Sequence, residues 1–250
     1  MRLAAGVLTP HAAPGPEVEI PEMASAQVDV VVARVSPPDG TTTPPSAAAD
    51  LRALATPSAL QPAIESLLDA SVDVIAYAST TSGYAIGHAA EAELARRLRR
   101  LSGVPVVTSG LAAVQALKAF GVRRVALIHP PWFEDEMADL GTEYFRAQEL
   151  DAVTLTATSL PTDPAQVRPG QVIEYVSSQV DASTDAIFFA GNGFRAAATI
   201  EELERRTGQL VLAANQVLLW SLLIATGSGL RVDGYGSLFD SRLSRRSPCL

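Results

Sequence analysis

Cysteine is almost absent from this chain, which has one in 250 residues, Cys249. A single cysteine excludes a disulfide framework and a site built from several thiolates. The three histidines lack the spacing of metal ligands, and the glycines form neither a phosphate-binding loop nor a dinucleotide fingerprint. The sequence therefore predicts a protein with no metal and no cofactor.

Positive charge and long hydrophobic runs are scarce as well. The net charge is −8, with 27 acidic against 19 basic residues, which argues against a nucleic-acid partner. The one basic cluster lies at Arg242, Arg245 and Arg246. No apolar run reaches the roughly 20 residues of a membrane span, and residues 1–10 are too few for a signal peptide core with its cleavage site. We expect a cytoplasmic protein with no membrane partner.

The chain does contain short apolar runs that alternate with helical patterns. Most of the apolar runs are continuous, as expected for parallel strands covered on both faces. Eight strands are predicted, at Leu3–Leu8, Val28–Val35, Asp73–Tyr77, Pro105–Thr108, Arg124–Ile128, Ala152–Thr158, Ala186–Phe189 and Leu210–Ala213. Helices are predicted at Ala89–Leu101, Leu111–Phe120, Glu134–Gln148, Val172–Val180 and Thr199–Arg206, and a loop at Ser36–Pro45.

Three sequence patterns occur twice, in the same order. V-D-V-I-A-Y-A-S-T from Val72 matches T-D-A-I-F-F-A-G-N from Thr184. G-V-P-V-V-T-S-G from Gly103 matches G-Q-L-V-L-A-A-N from Gly208. Upstream of both, G-V-L-T-P-H-A aligns with A-L-I-H-P-P-W, starting at residues 6 and 126. The repetition predicts a duplicated four-strand unit, with chance matching of generic strand and loop sequence as the alternative.

The predicted fold is α/β, with two similar halves related by a pseudo-twofold axis and a cleft between them. Each half is a doubly wound, Rossmann-like sheet of four parallel strands. We assign residues 1–110 plus 216–250 to the first half and residues 111–215 to the second. Ligands bind such sheets at the carboxyl ends of the strands. The loops predicted there are Pro10–Ala13, Ser79–Tyr84, Ser109–Gly110, Pro130–Phe133, Gly191–Arg195 and Asn215–Gln216.

A run of hydroxyl side chains forms the first-half loop. Ser79, Thr80, Thr81 and Ser82 follow a buried strand and precede a helix predicted to start near Ala85. Hydroxyl and N–H groups at a helix start favour bound anions. The alternative is simple N-capping by one of these residues. Four hydroxyls exceed what a cap needs, so we favour a binding role.

The matching loop of the second half is Gly191-Asn192-Gly193. Two glycines around an asparagine allow a ligand to approach the backbone closely, or a positive φ, although an ordinary tight turn has the same composition. His11, in the loop after the first strand, is the best candidate for general acid–base chemistry. Trp132 is placed either as a pocket wall or in the core.

The residues that carry these patterns resemble those of the aspartate/glutamate racemase superfamily. The stretch D-V-I-A-Y-A-S-T-T-S-G and the stretch F-F-A-G-N-G-F-R-A are most similar to the branch of maleate cis-trans isomerase and arylmalonate decarboxylase. The opening G-V-L-T-P-H-A-A, the run N-Q-V-L-L-W from Asn215 and the closing G-Y-G-S-L-F resemble the same branch. The resemblance covers nearly the whole chain.

The resemblance implies catalytic cysteines directly after the third strand of each half. Those positions are Ser79 and Gly191 here, and neither is cysteine. Arylmalonate decarboxylases have glycine at the first position and cysteine at the second, so two replacements are a departure. A thiolate forms readily because its pKa is easily lowered, whereas a serine hydroxyl needs an adjacent base. Racemisation by two cysteines is therefore excluded for this sequence.

Two classes of function remain. One is an enzyme, an isomerase or lyase that acts on a small carboxylic acid through an enolate-like intermediate by isomerisation, decarboxylation or elimination. In it Ser79 or His11 moves protons, and the substrate contacts are Thr80, Thr81, Ser82, Gly191, Asn192, Gly193, Trp132 and Asn215. The other is a non-catalytic carboxylate-binding protein on the same fold. We favour the enzyme because the ligand-side loops remain polar. The sequence leaves a homo-oligomer open.

Overall fold

The computed structural model describes residues 2–25, 27–35 and 47–240. The predicted loop Ser36–Pro45, the basic cluster and Cys249 lie outside these residues. The described part of the chain forms eight strands, each at a predicted place. They are β1 (Leu3–Thr9), β2 (Val28–Arg34), β3 (Val74–Tyr77), β4 (Val106–Thr108), β5 (Arg124–His129), β6 (Asp151–Thr156), β7 (Ala186–Phe189) and β8 (Leu210–Ala213).

Helices connect the strands in sequence. They are α1 (Pro16–Met23), α2 (Ala48–Leu54), α3 (Pro57–Asp69), α4 (Thr80–Ile86), α5 (His88–Ser102), α6 (Ser109–Ala119), α7 (Asp135–Arg146), α8 (Pro169–Gln179), α9 (Ile200–Thr207), α10 (Ala214–Ala225) and α11 (Ser237–Asp240), with short 3-10 helices at Pro164–Gln166 and Ala197–Thr199. No helix of the described residues is both long enough and apolar enough to cross a membrane.

The strands form two parallel sheets with the same internal order, β2-β1-β3-β4 and β6-β5-β7-β8. The strand register repeats as well. Gly6 of β1 lies beside Ile75 of β3, and Ala126 of β5 lies beside Ile187 of β7. These residues are also the ones that the three repeated sequence patterns align. The predicted α/β fold of two similar four-stranded halves is confirmed, and residues 72–80 and 184–192 occupy equivalent places.

One hydrophobic core joins the two sheets. Ala5, Val7, Val74 and Ala76 of the first sheet belong to the same buried cluster as Ala126, Ile128, Ile187 and Phe189 of the second. Leu218, Leu219 and Leu222 of α10 complete that cluster between the sheets. β3 and β7 are buried at every residue. Continuous apolar strands are therefore covered on both faces, as the sequence predicts.

Two helices start at the points where the predicted halves meet. α6 begins at Ser109 and buries its apolar residues with β5 and β7 of the second sheet. α10 begins at Ala214 and contacts β3 and β4 of the first sheet as well as β8. The division into residues 1–110 plus 216–250 and residues 111–215 stays a prediction.

The helix after the hydroxyl run starts earlier than predicted. α4 begins at Thr80, not near Ala85, and Ser79 is its N-cap, with its Oγ accepting a hydrogen bond from the backbone N–H of Ser82. Thr80, Thr81 and Ser82 therefore belong to the first helical turn and are not a free loop. Because the turn is buried, its hydroxyls are held at fixed positions.

Candidate active site

A pocket of about 350 Å³ opens where the carboxyl ends of the two sheets face each other. First-half residues form one wall and the loop after β7 forms the opposite one. The lining residues are His11, Ala12, Ala13, Leu51, Thr81, Trp132, Phe133, Glu134, Met137, Thr162, Pro164, Gly191, Asn192 and Gly193. Six of the ten predicted site residues are among them: His11, Thr81, Trp132, Gly191, Asn192 and Gly193. Sequence reasoning missed Leu51 and Met137, which no motif distinguishes from core residues.

The first-half wall contains a hydrogen-bonded pair of His11 and Ser79. The His11 Nε2 lies 2.9 Å from the Ser79 Oγ and 3.1 Å from the Thr81 Oγ1. The Ser79 Oγ is also 2.8 Å from the Ser82 Oγ. His11 and Thr81 line the pocket, whereas Ser79 and Ser82 are fully buried behind them. His11 therefore lines the pocket directly, and Ser79 is connected to the pocket only through its hydrogen bond to His11.

His11 is held in its neutral form. Burial and then the nearby charge of Arg34 lower the pKa of His11 to about 4. Arg34 itself forms an ion pair with Glu17 at 2.6 Å. A neutral imidazole has one donor and one acceptor nitrogen, so the direction of the His11–Ser79 bond depends on which nitrogen carries the proton. Near pH 7 the ring can therefore accept a proton.

The pocket wall formed by the loop after β7 consists mainly of backbone. Gly191 has φ +86°, a conformation that favours glycine, which confirms the positive φ considered from the sequence. Its N–H donates to the Thr80 Oγ1 at 2.9 Å, so Thr80 and Gly191, two predicted substrate contacts, are hydrogen-bonded to each other. The N–H groups of Asn192 and Gly193 have no hydrogen-bond partner among the described residues. The Gly191 N–H therefore joins the two walls, whereas the N–H groups of Asn192 and Gly193 keep their hydrogen-bonding capacity.

A buried chain of amides supports this loop from behind. The Asn192 Oδ1 accepts a hydrogen bond from the backbone N–H of Thr80 at 3.2 Å, and the Asn192 Nδ2 donates to the Asn215 Oδ1 at 2.8 Å. The Asn215 Nδ2 in turn donates to the Glu19 Oε2 at 2.7 Å. Asn215 is 1% exposed and is not among the lining residues, so it supports the loop from behind, and its predicted contact with the substrate stays a prediction.

Glu19 and Gly15 were not identified from the sequence. A Cβ on Gly15 would lie 1.9 Å from the backbone oxygen of Asn192, so only glycine allows α1 to start this close to the loop. Glu19 is a single glutamate in a segment that contains prolines, and no motif marks it. Such contacts join residues nearly 180 positions apart in the chain, and no local pattern records them.

The remaining wall is apolar. Trp132 packs edge-on against Phe194 at a ring distance of 5.8 Å, and Phe133 and Met137 lie beside it. Of the other histidines, His129 is fully buried behind Phe133, and burial lowers its pKa to about 4, whereas His88 begins α5 and is half-buried. Among the residues described, no three His, Cys, Asp or Glu side chains are grouped so as to hold a metal ion.

Comparison with known proteins agrees with this fold. An arylmalonate decarboxylase of Bordetella bronchiseptica is 25% identical over 197 residues, which cover 74% of this chain and 81% of that protein. A maleate isomerase of Pseudomonas putida is 26% identical over 184 residues, 69% of this chain and 71% of that protein. The structure of an alanine variant of maleate isomerase Iso from Pseudomonas putida, solved with maleate, has a TM-score of 0.84 at 22% identity, over 97% of this chain and 99% of that one.

The family itself follows from a match to most of the chain. Residues 58–239 match the model of the arylmalonate decarboxylase family. This span contains nine of the ten predicted site residues, all except His11. The resemblance to the branch of maleate isomerase and arylmalonate decarboxylase is thus confirmed, and the protein belongs to the arylmalonate decarboxylase family.

Proposed function

We propose that this protein is a cofactor-independent isomerase or lyase that acts on a small carboxylic acid through an enolate-like intermediate, without a catalytic cysteine. The observation that supports it most is the contact of the His11 Nε2 with the Ser79 Oγ. By the family resemblance, Ser79 occupies the place of the first catalytic cysteine. The histidine beside it is the adjacent base that a serine hydroxyl needs.

Hydrogen-bond donors, not cations, hold the substrate carboxylate in this proposal. Among the described residues, the pocket lining includes one charged side chain, the exposed Glu134, and no lysine or arginine. The available donors are the Thr81 hydroxyl and the backbone N–H groups of Asn192 and Gly193. Preorganised donors of this kind stabilise the negative charge that develops on a carboxylate oxygen as an enolate forms. Dipoles that are already oriented need no rearrangement during the reaction.

His11 and Ser79 move the proton. In isomerisation or elimination of a saturated acid, the neutral ring takes a proton from the sp3 carbon next to the carboxylate and the electron pair of that bond enters the enolate; the pair then takes a proton back at the same carbon or expels a leaving group from the next one. In cis-trans isomerisation of maleate, the Ser79 Oγ adds to a carbon of the double bond while its proton passes to His11, and the double-bond pair enters the enolate. After rotation about the new single bond the pair re-forms the double bond, and the Ser79 Oγ leaves and takes its proton back. In decarboxylation the pair comes from the broken carbon–carbon bond, and Ser79 with His11 returns a proton to the carbon. The low pKa of His11 makes it a weak base in the empty pocket. A bound carboxylate raises that pKa, because an opposite charge favours the protonated ring.

The proposal is tested by calorimetry and proton NMR with maleate and phenylmalonate. We expect one of these acids to bind and to be converted by the wild-type protein. His11→Gln and Ser79→Ala should retain the fold and reduce conversion by about 100-fold, the usual contribution of general acid–base catalysis. Cys249→Ser is the matched control and should convert substrate at the wild-type rate.

Two outcomes would contradict the proposal. Binding of either acid with no conversion would favour a carboxylate-binding protein without catalysis. Loss of conversion in Cys249→Ser would place a thiol in the reaction, and the role assigned to Ser79 and His11 would be wrong.

A further inference from the structure

Glu19 is a buried carboxyl group that no part of the proposed chemistry uses. It lies on α1 and is 4% exposed. Its Oε1 accepts a hydrogen bond from the backbone N–H of Ala197 at 2.8 Å, and its Oε2 accepts one from the Asn215 Nδ2 at 2.7 Å. Among the described residues it forms no ion pair. A buried carboxylate without a cation is costly, and these two hydrogen bonds are what compensates the charge of Glu19.

The direction of each hydrogen bond in the amide chain is fixed at both ends. An ionised Glu19 can only accept, so Asn215 must present its NH2 group to it. At the other end, the backbone N–H of Thr80 can only donate, so Asn192 must present its oxygen. Both requirements are met when the Asn192 Nδ2 donates to the Asn215 Oδ1 at 2.8 Å. Turning either amide over would place like groups against each other.

The same chain fixes the pocket loop. The Asn215 Nδ2 also donates to the backbone oxygen of Asn192 at 2.9 Å, so one NH2 group contacts both Glu19 and the loop. Asn192 and Gly193 carry the free N–H groups of the pocket. We propose that Glu19 is a positioning residue, which orients Asn215 and through it holds Asn192 so that these N–H groups point into the pocket. This inference rests on the proposed function of that pocket.

The charge state of Glu19 should control this order. Burial raises its pKa to about 7, with Glu22 adding to the effect, while the hydrogen bonds from Asn215 and Ala197 and the charge of Arg195 oppose it. Tyr235 lies near enough to interact electrostatically with Glu19. Of the elements packed against α1, α10 carries no charged residue. On β2 the two charged residues are in ion pairs, Asp29 with Arg2 and Arg34 with Glu17. A protonated Glu19 presents an O–H to one of two N–H donors. The fixed sequence of donors and acceptors along the amide chain is then lost at the Glu19 end.

The first experiment follows the side-chain amide signals of Asn192 and Asn215 by 15N NMR from pH 5.5 to 8.5. In the wild-type protein both should shift together with a midpoint near pH 7, the pKa of Glu19. In Glu19→Gln the shift should disappear. Glu22→Gln, an exposed carboxylate on the same helix, is the matched control and should keep it.

The second experiment measures the affinity for phenylmalonate and maleate by calorimetry at pH 8. Glu19→Gln should weaken binding by about tenfold, as expected when a hydrogen bond to a charged group is lost. In an Asn215→Ala background the same substitution should change affinity less than twofold, because Glu19 acts through Asn215. Glu22→Gln should bind like the wild-type protein.

The results separate the two proposals. If the amide signals follow Glu19 but neither acid binds, the positioning role stands and the proposed function fails. If an acid binds and the amide signals are unchanged by pH and by Glu19→Gln, the positioning role is overturned. The wild-type pH titration decides the matter by itself should Glu19→Gln fail to fold.

Discussion

The two halves differ most at the ends of their third strands. β3 and β7 are both four residues long, fully buried and equivalent in register. After β3 the chain enters α4 at once, and Ser79 caps it. After β7 it turns through Gly191 at φ +86°, and α9 begins only at Ile200. One end therefore presents hydroxyl side chains, and the other presents backbone N–H groups.

In the proposed function, the duplicated scaffold divides its chemistry between these two strand ends. The first half brings His11 and the hydroxyl groups, which can exchange protons. The second half brings N–H donors, which can hold charge but exchange no proton in the reaction. Thr80 and Asn192, which are equivalent in the repeat, bind each other across the cleft.

The largest effect is expected for Asn192→Ala, which removes the amide that joins the two ends. The backbone N–H of Thr80 and the side chains of Ser109 and Asn215 lose their partner. We expect a loss of about 2–4 kcal/mol in the free energy of unfolding, measured with urea. Binding of phenylmalonate and maleate should be lost too.

Gln209→Ala is the matched control for that change. Gln209 is a buried amide bonded to Thr184 and Asp181, away from the pocket. It should destabilise the protein to a similar extent and leave ligand affinity intact. Equal loss of binding in Asn192→Ala and Gln209→Ala would mean that ligand affinity depends on the overall stability of the protein and not on the contact of Asn192 with Thr80.

Glu19→Gln should change the pH dependence of stability. The pKa of Glu19 in the folded protein, about 7, lies above its ordinary value of 4.5, because burial disfavours the charged form. The protein is therefore most stable with Glu19 protonated, below pH 4.5, and loses free energy of unfolding as the pH rises through 7 and the buried group ionises. Removing the charge should therefore make the variant more stable than wild type by about 3 kcal/mol at pH 8.5 and by little at pH 4.5. Urea unfolding of both proteins at the two pH values checks this. A constant difference across the range would contradict the buried charge.

Gly191→Cys tests whether the turn after β7 tolerates a side chain. A Cβ there would lie 3.3 Å from Phe133 and Pro130, in addition to the strain of the positive φ. We expect a loss of about 2 kcal/mol in the free energy of unfolding. Gly208 has φ +69°, and no heavy atom lies within 4 Å of a Cβ built there, so Gly208→Cys should lose stability through backbone strain alone.

The same variant tests the positional match to the family. Gly191→Cys places a thiol at the mouth of the pocket, and we expect a trace of phenylmalonate decarboxylation that Gly208→Cys lacks. A folded Gly191→Cys protein that binds phenylmalonate but shows no gain in rate would contradict the match.

Thr80→Val should have the smallest effect. Valine keeps the shape of the side chain but leaves the Gly191 N–H without an acceptor, at a cost of about 1–2 kcal/mol. Ligand affinity should fall only slightly, because Thr80 does not line the pocket. Thr199→Val, which removes a buried hydroxyl bonded to Ala196, is the control for stability without an effect on binding. A complete loss of binding in Thr80→Val would mean that this hydroxyl contacts the ligand.

Sequence predicted the scaffold better than the site. The strands followed from continuous apolar runs, and the duplication of the four-strand unit followed from the three repeated patterns. α1 was missed because Pro16 and Pro21 resemble helix breakers, although proline is accepted in the first turn of a helix. The burial of Ser79 behind His11 and the link from Glu19 to Asn215 depend on contacts between distant segments. Local patterns contain no information about such contacts.

The most direct test of the account is proton exchange at the substrate carbon. Phenylmalonate is incubated in D2O with wild-type protein and with His11→Gln, and deuterium at the carbon next to the carboxylate, in phenylmalonate and in its decarboxylation product, is followed by NMR. We predict deuterium incorporation by the wild-type protein and, at equal occupancy of the pocket, a rate about 100-fold lower for His11→Gln. Equal incorporation by the two proteins would contradict the assignment of proton transfer to the His11–Ser79 pair.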